Sequence, residues 1–126
     1  MSLYLCVFAG EQEMEGVEVG PYSDYNALRE YIVRELEGGA PGSRFPSFIL
    51  HSDCDGEWSV DECRKLHSEL AGIGAAMKSL PPLAAAGPLP RNAFESFVDV
   101  DGQCLIDRLI NLVEVALQKG RPILFQ

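Results

Sequence analysis

The sequence predicts an α/β (α+β) fold: one domain over residues 1–126, with three helices packed on a mixed or antiparallel sheet of about five strands. Three observations carry that expectation. Short apolar runs bounded by glycine, Leu3 to Ala9 foremost, have strand length. Apolar residues recur at helical spacing in three separate stretches. At 126 residues, with 47% hydrophobic and 23% charged content, the chain is long enough to bury a core without staples.

The elements follow in order. Leu3 to Ala9 is continuously apolar and suits a central strand, and Gly16 to Gly20 alternates apolar and acidic residues, so the two are expected to form a hairpin. Ser23 is placed to cap a helix whose apolar stripe is Tyr25, Leu28, Ile32 and Leu36, ended by Gly38-Gly39. Ala40 to Pro46 is a loop, and Ser47 to His51 reads as the next strand. Ser59 and Glu62 have the spacing of a capping box, and Cys63, Leu66, Leu70, Ile73, Met77 and Leu80 continue as one helical stripe. Gly72 and Gly74 weaken that helix and point to a close approach by a neighbour. Residues 81–90 hold four prolines and form a loop inside the domain. Phe94 to Val100 reads as a strand. Leu105 to Leu117 carries a broad apolar stripe, so the third helix is expected to be deeply buried and capped by Gly120. Pro122 to Phe125 is a docked final strand.

Charge narrows the partners. Nineteen acidic against ten basic residues give a net charge of −9, a field that repels phosphate backbones and anionic lipid and favours basic proteins. Direct nucleic-acid and membrane binding are therefore not expected. Cys6, Cys54, Cys63 and Cys104 form no C-x-x-C pair and lie away from zinc-ligand spacing, which reads as reduced structural thiols. The N-terminus lacks the basic start of a signal peptide and no run reaches membrane-span length, so a cytoplasmic protein is expected. No glycine-rich phosphate loop or nucleophile elbow occurs, and no cofactor is implied.

The distinctive stretch is Phe48 to Ser59, where an apolar run ends in an acidic turn holding Asp53, Asp55, Glu57 and the only tryptophan, Trp58. A related turn follows at Asp99-Val100-Asp101-Gly102. Paired carboxylates of this kind hold a divalent cation, serve as acid and base, or face a basic partner; Asp-Gly is also simply a favoured turn. An EF-hand is excluded, because Gly56 falls at position 4 and position 12 is Arg64. His51 and Cys54 have no orienting third group, and the adjacent carboxylates raise a thiol's pKa. Trp58 is either an interface anchor or a core ring beside the helix start.

The residues Leu3-Tyr4-Leu5-Cys6-Val7-Phe8, Gly16-Val17-Glu18-Val19-Gly20, Ser43-Arg44-Phe45-Pro46, Leu50 to Ser59 and Arg121 to Gln126 together resemble the bacterial polymorphic-toxin immunity proteins of family seventy. The resemblance implies a small cytosolic α/β protein that binds and blocks a cognate toxin domain, with no turnover of its own. An acidic protein steers toward a basic toxin such as a nuclease. Asp53, Asp55, Glu57, Trp58, Asp99 and Asp101 are the candidate partner-binding residues. The alternative is a small metal-dependent hydrolase built on the two Asp-x-Asp-Gly turns.

Overall fold

The computed structural model describes residues 2–51, 56–82 and 92–126. The chain opens with β1 (Ser2–Ala9) and β2 (Gln12–Pro21), a hairpin turned at Gly10, whose φ of 66° favours glycine. Helix α1 (Tyr22–Leu36) follows at once, with Pro21 in the N-cap position and no side-chain cap. Ser23 lies inside the first turn and does not cap it, because proline's fixed φ already sets the entry of the chain.

Where Ser47 to His51 was expected to be a strand, the chain makes a helical turn, α2 (Pro46–Ile49). Three consecutive apolar residues, Phe48 to Leu50, carry no period of their own, so neighbours decide. Pro46 presets the helical φ, and the Glu69 carboxylate accepts the Ser47 and Phe48 amides at 3.2 and 3.0 Å. The strand comes later, as β3 (Glu57–Trp58).

Helix α3 (Val60–Lys78) has the expected capping box, with Ser59 Oγ accepting from the Glu62 amide and Glu62 Oε1 from the Ser59 amide. Its stripe is buried from Cys63 to Met77. Gly74 explains the expected close approach: a Cβ there would stand 3.4 Å from Ile106 and Phe94. The Pro-rich segment lies outside the described residues from 83 onward.

Phe94 to Val100 is likewise not one strand. Its start is α4 (Ala93–Ser96), capped by Asn92 Oδ1 on the Glu95 amide, and only Val98 makes a bridge, to Cys104. Helix α5 (Leu105–Lys119) ends at Gly120 in the left-handed region, and β4 (Ile123–Phe125) closes the chain.

The result is α+β: a four-stranded sheet in the order β2-β1-β4-β3, antiparallel throughout, with five helices among the described residues. The two expected strands that became helical turns, offset by β3, account for four strands rather than five. Helices α1, α3 and α5 pack on one side of the sheet. Alternation along β1 sends Leu3, Leu5 and Val7 into that core with Val17, Val19, Trp58, Ile123 and Phe125. Tyr4, Cys6, Phe8 and Leu124 point the other way.

Candidate partner-binding surface

The sheet order separates Gly56 and Glu57, which follow the first acidic stretch, from the 99–102 turn. Gly56 and Glu57 lie at the β3 edge, where Gly56 O accepts the Phe125 amide. The 99–102 turn lies against the opposite edge, where the Val100 amide donates to Glu18 O on β2. Three strand spacings intervene, about 14 Å. Asp53 and Asp55, and with them Cys54, lie outside the described residues.

Two expected contact residues are internal. Trp58 is 1% exposed; its Nε1 donates to Ser47 O at 2.9 Å and its ring packs on Phe48 and Phe125. The indole therefore sits in the core and fastens β3 to α2. Asp99 is 4% exposed and saturated: Oδ1 accepts the amides of Asp101 and Gln103, and Oδ2 accepts Arg108 Nε at 3.0 Å. Arg108 reaches on to Gly16 O, tying α5, the 99–102 turn and β2 together. Both oxygens of the Asp99 carboxylate are thus engaged in holding its own turn and α5. Asp101 and Glu57 are exposed. Among the described residues no group of three or more His, Cys, Asp or Glu is arranged to hold a metal. His51 is a satisfied histidine, its Nε2 2.7 Å from Glu57 O and its ring stacked on Phe125.

Glu57 belongs to a surface the sequence did not reveal, the outer face of the sheet. The register sets Gly16, Cys6, Leu124 and Glu57 side by side across four strands. Tyr4 and Phe8 flank Cys6, with Glu18 opposite Tyr4 and Glu13 opposite Phe8. The Tyr4 ring lies across Gly16, where a Cβ would fall 1.9 Å from its hydroxyl oxygen. That hydroxyl donates to Glu13 Oε1. Donation to a carboxylate, with partial burial and the same negative charge, pushes the phenol up to about 12. Cys6 is fully buried between these rings, and burial followed by the Glu13 charge raises its pKa, which keeps it a thiol. Tyr4, Phe8 and Leu124 are half-buried and stand outside the core cluster.

Sequence reasoning also missed the buried carboxylate of Glu37, which binds the amides of Gly42, Arg44 and Phe45. Its only sequence signal is an acidic residue between a helix end and a glycine-rich loop.

Fold and surface define a small α+β domain with helices on one side of a sheet and a carboxylate-rimmed face on the other. Its family comes from comparison. The family model described as Immunity protein 70 matches residues 3–87, more than half of the chain, and the chain belongs to that family. The match stops before α4, α5 and β4, so the closing Arg121 to Gln126 segment lies beyond it, although β4 is the strand joining β1 to β3. Searches of curated proteins and of solved structures gave no match.

Proposed function

We propose that this chain is an immunity protein that binds a cognate bacterial toxin domain in the cytoplasm and neutralises it by occupation, with no turnover. Membership of the Immunity protein 70 family is the observation that carries this reading. The charge of −9 makes a basic toxin domain, such as a nuclease, the fitting partner, since opposite fields steer association at high rates. Exposed Glu57 and Asp101, with Asp53 and Asp55 of the first turn, are the expected contacts among the acidic turns. The metal-dependent hydrolase has no comparable support, given that Glu57 and Asp101 stand at opposite sheet edges and that Asp99 is engaged in holding its own turn and Arg108.

The test is rescue. The C-terminal domain of the product of the gene immediately upstream is expressed in a host with and without this chain, and survivors are counted. Survival only with the chain, together with a complex that co-elutes on gel filtration, is the expected result. Equal killing in both hosts refutes neutralisation of that toxin.

A further inference from the structure

The outer sheet face carries its charge differently from the rest of the molecule. The four strands contain Glu13, Glu15, Glu18 and Glu57 and no Lys, Arg or His, while every Lys and Arg among the described residues lies in a helix or a connection. Glu15 turns toward the helical side, where Asn111 Nδ2 donates to it at 3.1 Å. Glu13, Glu18 and Glu57 remain, around an apolar centre of Tyr4, Phe8 and Leu124. None of these three joins the hydrophobic core, and no described helix packs over them.

We propose that this face is the docking surface and that it takes a cationic, partly apolar surface of a partner protein. Lys or Arg side chains pair with Glu18 at one edge and Glu57 at the other, about 16 Å apart across three strand spacings and two residues of register. Between them an aliphatic or aromatic side chain covers Phe8 and Leu124. Charge selects this occupant over a second copy of the chain: two such faces meeting around a two-fold axis would set carboxylates against carboxylates. The same charge turns away anionic lipid and phosphate backbones. The centre is pre-ordered, because the Tyr4–Glu13 hydrogen bond pins the ring across Gly16, so little side-chain entropy is lost on docking.

This inference rests on the reading that the chain acts by binding a protein, and its test is independent of any particular toxin. The full chain, isotopically labelled, is titrated with an acetylated, amidated Lys-Thr-Leu-Thr-Lys peptide, whose two lysines and central leucine share one face when extended, the lysines about 13 Å apart. Amide shifts are expected to concentrate at Tyr4, Phe8, Glu18, Glu57 and Leu124. Two exposed-residue variants of equal net charge follow. Glu18→Lys/Glu57→Lys should weaken the peptide about tenfold, whereas Glu30→Lys/Asp107→Lys on α1 and α5 should change it less than about twofold. Shifts spread over the helices, no shifts at all, or equal loss in both variants overturns the proposal. A failed rescue with an intact peptide map removes the toxin reading and keeps this surface; a successful rescue with the map elsewhere does the reverse.

Discussion

Removing the Glu37 carboxylate should cost more stability than removing any exposed acid, although Glu37 closes a helix beside a glycine-rich loop and looks dispensable in the sequence. It is 5% exposed. Oε1 accepts the Gly42 amide at 3.1 Å, and Oε2 accepts those of Arg44 and Phe45, each at 2.9 Å. In Glu37→Ala all three donors lose their acceptor. A hydrogen bond to a charged group contributes about 1.5–3 kcal/mol, and a buried donor left unpaired costs about 1–3 kcal/mol. Gly42 and Arg44 are partly or fully exposed and recover water, while Phe45 is buried and does not. We therefore expect a loss of about 3–4 kcal/mol, a large part of the 5–15 kcal/mol typical of a domain, and a Tm lower by about 10–15 °C. Glu37→Gln keeps one acceptor oxygen but aims an amide NH2 at donors, so it should lose at least about half as much. Urea unfolding followed by circular dichroism measures the loss, and hydrogen exchange reads the amides of residues 42, 44 and 45. A cost below about 1 kcal/mol for Glu37→Ala, or fast exchange at the Phe45 amide in the unmodified chain, would refute the reasoning.

Asp99→Ala leaves Arg108 half-buried without its carboxylate and two amides unpaired, and should cost about 3–5 kcal/mol in thermal unfolding, while Asp101→Ala stays within about 0.5 kcal/mol. Ser59→Ala removes one side of the capping box and should cost about 1 kcal/mol in the same assay. Tyr4 supplies a pH dependence. Its folded pKa, near 12, lies above the ordinary phenol value of 10, so its stabilisation is complete below pH 10 and is lost as pH rises from there through 12. Stability of the unmodified chain should accordingly fall more steeply over that window than that of Tyr4→Phe. Gly16→Ala sets a Cβ where the Tyr4 hydroxyl lies, so the ring must swing away, and phenolate absorbance should show one tyrosine titrating nearer 10 with the fold retained.

The elements legible in the sequence are those whose signal is local. The α3 capping box, the α5 stripe and the Gly120 stop each depend on residues within one or two turns, and each stands where expected. The elements misread are those decided from far away. Ser47 to His51 is apolar and short, and it becomes helical because Pro46 starts it and Glu69, 22 residues on from Ser47, caps it. Phe94 becomes a helical residue through the Asn92 cap. For the site, the 99–102 turn was legible as a turn, but the separation of Asp101 from Glu57 to opposite edges follows from the sheet order. That order depends on β4, the last strand of the chain, inserting between β1 and β3. Pairing so distant in sequence leaves no local trace.

A net charge counts all carboxylates alike, whereas this fold divides them by what they bind. Glu37, Glu69 and Asp99 face inward and accept backbone amides, where they act as fixed acceptors shaping the 38–45 loop, the α2 start and the 99–102 turn. Glu18 and Glu57 face outward on a sheet with no cationic side chain. The two groups are linked through packing. The Glu37-held loop delivers Phe45 and Phe48 to the core, Phe48 stacks on Trp58, and Trp58 holds the two-residue strand from which Glu57 projects. Mutating inward carboxylates therefore loosens the docking edge by unfolding it, while mutating outward ones changes the field and leaves the fold standing. Loss of binding at unchanged Tm separates the second group from the first.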